Sequence, residues 1–263
     1  MEMRRLAACL AFTSISDIKP LTWRRRALSR DVLTRSVFCS MSTSPHEDDR
    51  NHLQDALKKA EERALDSFIT NEAPSWLNGR STMPFQCTAC GKCCQTKGDV
   101  YMSPDEVVVA AHLMGRTPSE FVETYASHLL GPSKTFVEGS SWIRLSEKGE
   151  SCVFLGDDGK LCTIYEARPV QCRTYPFWPA IMQSIQSWDE ECRRKDEDIE
   201  SPLPPWSRQS GGCEGMEIIE ESLGHEEDAV PLREAYRQLY QYIISERRFP
   251  KGTERPLNPR LSR

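Results

Sequence analysis

Apolar positions along the chain separate two long helical patterns from a shorter, interrupted middle. Between residues 46 and 70, Leu53, Leu57, Ala60, Ala64 and Phe68 recur at helical spacing with Glu, Lys and Arg between them. That pattern predicts one amphipathic helix. A second is predicted over 228–247, where Leu232, Ala235, Tyr236, Leu239, Tyr242 and Ile243 share a face. Two short helices carry explicit start signals. Ser103-Pro104-Asp105-Glu106 and Thr117-Pro118-Ser119-Glu120 each combine a capping hydroxyl, a first-turn proline and a glutamate three residues on. Helices are therefore expected over 104–114 and 118–128. Pro74, Gly79 and Pro84 mark 71–84 as a linker, and 135–145 reads as extended.

Farther along, Cys152-Val153-Phe154-Leu155 and Leu161-Cys162-Thr163-Ile164-Tyr165 flank Gly156-Asp157-Asp158-Gly159-Lys160. Two apolar runs around a Gly/Asp turn predict a β-hairpin. A helical turn over 166–172 would deliver Cys172, and Pro176 and Pro179 break regular structure. Weaker helical patterns cover 188–197 and 212–223. The expected class is α+β: a small cysteine-rich metal-binding core with a β-hairpin, flanked by N- and C-terminal amphipathic helices. The expected organisation is a leader over 1–44, a helical extension and linker over 45–84, a cysteine-cluster domain over 85–225, a helix over 226–248 and a tail over 249–263.

Charge changes the picture at the N-terminus. Residues 1–40 hold eight Lys/Arg against three Asp/Glu, a net of +5, while the remainder holds 26 against 36, a net of −10. An acidic body argues against a dedicated nucleic-acid binder, which has phosphates to neutralise. Arg4, Arg5, Arg24, Arg25, Arg26, Arg30 and Arg35 lie among Ser and Thr, with few acids before Glu47-Asp48-Asp49. This is the composition of an organellar transit peptide. Ser36-Val37-Phe38-Cys39-Ser40-Met41 has the look of a plastid processing region, so chloroplast is expected ahead of mitochondrion. A basic tail on a cytosolic protein gives the same composition, and Met41 offers an internal start. No run of eighteen apolar residues exists, so no membrane span is expected.

The chain has eleven cysteines. With Cys9 and Cys39 set aside in the leader, nine remain. Four fall within eight residues: Cys87, Cys90, Cys93 and Cys94. Two-residue gaps let successive thiolates curl onto one metal while backbone amides donate to the sulfurs, and Gly91 frees the backbone for a tight knuckle. Zinc and iron–sulfur clusters both take such donors. Cys93 and Cys94 are adjacent, so they either serve different metals or one of them bridges or stays free. Cys152, Cys162 and Cys172 form a second group; Arg168 and Arg173 flank Cys172, and a guanidinium favours the thiolate. Cys192 and Cys213 are additional candidate ligands. Gly211-Gly212-Cys213 is too short for a cofactor loop. His112 and His128, each on an expected helix, have no second ligand at metal spacing. Tyr165, Tyr175, Phe177 and Trp178 suit either a shield around a cluster or ordinary core.

The run Cys87-x2-Cys90-x2-Cys93-Cys94 resembles the signature of the CxxCxxCC proteins, the YkgJ-type cysteine-cluster family. The block Cys152-x-Phe154-Leu155, then Cys162-x-Ile164-Tyr165-x2-Arg168-Pro169-x2-Cys172-Arg173-x-Tyr175-Pro176, is similar to that family's second block. The resemblance covers residues 85–180. It implies chelation of zinc or iron by Cys87, Cys90, Cys93, Cys94, Cys152, Cys162 and Cys172. Some relatives are labelled flagellin N-methylases, which implies protein lysine methyl transfer; no methyl-donor residues map onto this chain. An organellar electron carrier or metal-handling factor is the remaining expectation.

Overall fold

A computed structural model of the chain describes residues 47–131, 133–220 and 229–251. The transit-peptide segment, Cys9 and Cys39 lie outside the described residues. The chain divides into two units, Met1–Ala56 and Leu57–Arg263. Only 47–56 of the first is described, as the opening turns of α1 (Glu47–Asn71). The sheets, the other helices and the cysteine cluster belong to the second.

Elements of the second unit are short. In chain order they are β1 (Thr82–Met83), α2 (Lys92–Gln95), β2 (Tyr101–Met102), α3 (Pro104–Leu113), α4 (Pro118–Tyr125), β3 (Ala126–Leu130), β4 (Trp142–Leu145), β5 (Glu147–Lys148), β6 (Ser151–Cys152), α5 (Val170–Arg173), α6 (Ile185–Asp189), β7 (Val230–Pro231) and α7 (Leu232–Arg248). All sheet pairings are antiparallel. β4 lies between β2 and β3, β1 pairs with β7, and β5 pairs with β6. Mixed helices and small sheets agree with the α+β expectation. No described helix is long and apolar enough to cross a membrane.

Two hydrophobic cores organise these pieces. The first gathers Leu65 and Phe68 of α1, Leu77, Met83, Phe177, Trp188 and Met216 against Ala235, Tyr236, Leu239 and Tyr242 of α7. The second gathers Met102, Val107, Ala110, Phe121, Ile143, Leu145, Phe154 and Ile164. Each fully buried large side chain contributes about 1.5–3 kcal/mol. The α7 face is the one the apolar spacing marked. On α1 only Phe68 of the marked positions is buried, together with Leu65, which the pattern did not mark, while Leu57 is exposed. Residues 75–83 are packed rather than loose, with Leu77 and Met83 fully buried.

Both capping boxes form. The Ser103 hydroxyl accepts from the Glu106 amide, and the Glu106 carboxylate accepts from the Ser103 amide at 2.8 Å. Thr117 and Glu120 repeat the arrangement. Glu106 does more: its Oε1 accepts from the Val170 amide at 2.5 Å, anchoring the start of α5, which carries Cys172.

Several expectations are corrected. α4 ends at Tyr125, and 126–130 leaves the helix to become β3, so His128 stands on a strand. Sheet pairing with Trp142–Leu145 overrides the local helical pattern. Only 142–145 of the stretch 135–145 is a strand. Cys152 pairs with Glu147 rather than across the expected hairpin, of which one bridge remains, Leu155 with Cys162. The helix expected over 188–197 is α6, and it stops at Asp189. Beyond it, Glu191 and Arg193 give their backbone groups to Cys213 (Cys213 N to Glu191 O 2.8 Å, Arg193 N to Cys213 O 2.9 Å). Residues 212–220 are irregular for the same reason. The rest of 212–223 lies outside the described residues. The expected turn at 166–172 resolves into a 3-10 turn, Tyr165–Ala167, followed by α5.

Replacing Ser103 with Ala is expected to cost about 1 kcal/mol in urea unfolding. Glu106→Ala should cost more, about 2–3 kcal/mol, because it also strands the Val170 amide.

Candidate metal centre

The site is built from four backbone turns. In each, a cysteine sulfur receives the amide of the residue two positions on: Lys92 to Cys90, Phe154 to Cys152, Ile164 to Cys162 and Gly215 to Cys213. The last of these measures 3.4 Å. Such amides support thiolate charge.

Gly91 makes the first knuckle possible. Its φ of +74° is one that L side chains rarely adopt. A Cβ there would meet the Gly159 carbonyl oxygen at 2.2 Å and the Lys160 carbonyl oxygen at 2.8 Å. The cysteine run thus sits directly against the 156–160 turn, and Gln95 Nε2 donates to Gly159 O at 3.3 Å.

Residues 213–217 are stitched to the other side of the run. Gln86 N donates to Gly215 O at 2.8 Å, Glu217 N to Pro84 O at 3.1 Å, and Phe85 bridges Met216. Lys92 pairs with Glu214, both nearly buried, and with Asp196 at 2.9 Å. Thr88 Oγ1 donates to Glu214 Oε1 at 3.2 Å.

The result is one cavity of about 220 Å³ lined by Cys87, Cys90, Cys93, Cys94, Cys152, Cys162, Cys172 and Cys213. Its walls include Trp178 and Tyr242 from the first core and Leu145, Phe154 and Ile164 from the second. All seven cysteines of the two sequence blocks come together here, and Cys213 joins them. Cys192 does not line the cavity. It is fully buried in the first core, bridged through its backbone to Cys213. None of the nine described cysteines is in a disulfide. The thiols line a shared space rather than a closed cage: among the described residues, no three His, Cys, Asp or Glu side chains stand at metal-holding separation.

Burial dominates the electrostatics. It pushes Cys152 up to about 11, and Cys192 and Cys213 up to about 12. Cys172 rises well above the ordinary thiol value through burial and then through Cys152, Cys93 and Cys162. Cys94 rises because it shares a hydrogen bond with Cys93 and is buried. Crowded thiols of this kind cannot ionise together without a cation among them. Thiols with amide support are the donor type that zinc and iron–sulfur groups take.

Arg168 lines the cavity and opposes the rise at Cys162 and Cys172. Arg173 turns elsewhere, toward Glu106 at 3.9 Å. Tyr165, Tyr175 and Trp178 line the cavity, whereas Phe177 is core. The supporting roles of Lys92, Glu214 and the four amide donors were not visible in the sequence. The Cys-x-Gly step at 213–215 was the one available signal.

Residues 86–197 match the family model CxxCxxCC, described as "Putative zinc- or iron-chelating domain". The likeness is to this stretch, under half of the chain. No solved structure matches the chain. The matched stretch contains eight of the nine described cysteines, Cys87 to Cys192, and ends before Cys213. The cavity therefore draws one thiol from outside the matched domain.

Gly91→Ala combines a left-handed backbone, costing about 1–2 kcal/mol, with a carbonyl 2.2 Å from the new methyl. It is expected to lower bound metal, measured by elemental analysis, and to lower the melting temperature together. Gly149→Ala, also at positive φ but with nothing near its Cβ, should lower only the latter.

Proposed function

We propose that the CxxCxxCC domain binds zinc through cysteine thiolates and that the metal is a structural clip joining the two hydrophobic cores. The carrying observation is that eight thiols, four of them amide-supported, converge on a cavity walled by both cores. Thiols are the donor type of closed structural zinc sites, and eight of them line the cavity beside the carboxylates Asp99, Glu147, Glu150 and Glu246. Metal binding to thiolates is coupled to folding, because each ligand gives up its proton and a conformational freedom as the site closes. The basic, hydroxyl-rich leader supports a chloroplast location for this metal protein.

The full chain, purified without air, is expected to carry zinc at whole-number stoichiometry and to be colourless. A strong chelator should remove the metal and lower the melting temperature by on the order of 10 °C or more. Cys90→Ser should lose metal and melting temperature in parallel. Iron with acid-labile sulfide and visible absorbance would replace zinc by an iron–sulfur group. Metal-free protein whose melting is indifferent to chelator would overturn the reading.

A further inference from the structure

Cys192 is the one described cysteine that the thiol cavity leaves out, and the residue bridged to it, Cys213, is a thiol that lines the cavity. We infer that this pair is a modification site: a peroxide joins Cys192 and Cys213 as a disulfide, which takes Cys213 out of the cavity's donor set. The pairing stands on backbone geometry, and its consequence for the metal rests on the metal-binding reading.

The two residues face each other in a parallel bridge. Cys213 N donates to Glu191 O at 2.8 Å, and Arg193 N donates to Cys213 O at 2.9 Å. Backbones paired in this way run about 4.7–4.9 Å apart, inside the Cα separation of about 4.4–6.8 Å that a disulfide spans. Bridged residues also present their side chains to one face. Among the described residues no other two cysteines share a bridge: Leu155 faces Cys162, and Glu147 faces Cys152.

The close approach is held from several sides. Arg193, itself buried, donates from Nη1 to Glu190 O at 2.7 Å and to Cys192 O at 2.8 Å. Its guanidinium covers Gly212, where a Cβ would meet Arg193 Cζ at 2.5 Å. Trp188 Nε1 donates to Glu217 O at 3.0 Å, and the Ile219 amide donates to Asp189 Oδ1 at 3.0 Å. The sulfurs themselves make long contacts. Cys192 Sγ donates to Trp188 O at 3.7 Å, and Gly215 N donates to Cys213 Sγ at 3.4 Å. Turning the two side chains toward each other breaks these weak bonds and leaves the backbone pairing intact.

Exposure sets the order of events. Cys213 is half-buried and lines the cavity, whereas Cys192 is fully buried. A peroxide entering the cavity therefore meets Cys213 first of the two. The O–O bond breaks, one oxygen joins Cys213 Sγ as a sulfenic acid, and the other leaves as water or, from an organic peroxide, as an alcohol. Cys192 Sγ then attacks the sulfenic sulfur. The S–S bond forms, the S–O bond breaks, and the hydroxyl leaves as water with the Cys192 proton. The two sulfurs lose two electrons and the peroxide gains them.

The test is peptide mapping of the full chain after hydrogen peroxide, with remaining thiols alkylated in denaturant. Trypsin leaves Cys192 as the single cysteine of peptide 174–193 and Cys213 as the single cysteine of 209–233, so their link reads as one mass. That linked peptide is expected to be the main disulfide product of Cys213, to disappear on reduction and to be absent from Cys192→Ala. Cys213 linked mainly to Cys87, Cys90 or another cavity thiol overturns the inference, as does Cys213 oxidised to sulfinic acid with Cys192 still free. The wild-type map stands on its own if the variant fails to fold. Zinc-saturated protein is expected to form the link several-fold more slowly. An equal rate with zinc bound overturns the competition with the metal, and a chain that binds no zinc yet forms the link sustains the pair while overturning the metal reading.

Discussion

Eight thiols, six of them half-buried, line one cavity walled by two hydrophobic cores, and gathering them there is the constraint around which the rest of the second unit is arranged. Cys152 and Cys162 accompany the second core, and Cys213 packs against the first. An apolar wall raises the cost of ionising each sulfur, and like charges nearby raise it again. A cation placed among them reverses both effects at once. The elements around the cavity are short, two to four residues for most strands and for α2 and α5. Such elements hold little stability of their own, so the packing of the two cores on either side of the cavity keeps them together.

Carboxylates distribute the supporting work. Glu106 closes the α3 cap and seats α5, so one side chain ties a helix start in the second core to the Cys172 turn. Glu214 pairs with Lys92 across 122 residues, so a charge next to Cys213 holds the middle of the cysteine run. α7 belongs to the first core. Its Tyr242 is buried in the first, and Phe249, just past its end, packs edge-on against Tyr101 and Trp142 at 5.1 and 5.2 Å. Tyr242 and Glu246 of the same helix also line the thiol cavity.

What the sequence made legible follows from how local each signal was. Both capping boxes involve four consecutive residues, and both appear where Ser103 and Thr117 placed them. The α7 face depends on one helix repeating, and it is the buried face. The cysteine run was legible as a set of candidate donors because its gaps are short, whereas Cys152, Cys162 and Cys172 stand ten residues apart and reach the cavity through the Leu155–Cys162 bridge and the turns after it. His128 was not, because the choice between helix and strand at 126–130 is made by Trp142–Leu145, far along the chain. The hairpin around 156–160 was half legible: its turn forms, yet Cys152 takes a partner at Glu147 that no pattern announced. Cys213 was named only as one of two outlying candidates. Its separation from Cys192 depends on stitches from 84–86 to 213–217, and those leave no local trace.

The position of Cys213 has a consequence for the order in which the chain becomes complete. A ribosome delivers Cys87 through Cys172 well before Cys213, and it delivers Glu214, the partner of Lys92, later still. During synthesis, seven of the eight thiols that line the cavity are therefore present before the eighth. Vectorial synthesis thus sets a sequence of availability that refolding from denaturant lacks. In refolding, every thiol competes for the first ion, and a contact spanning 122 residues forms slowly.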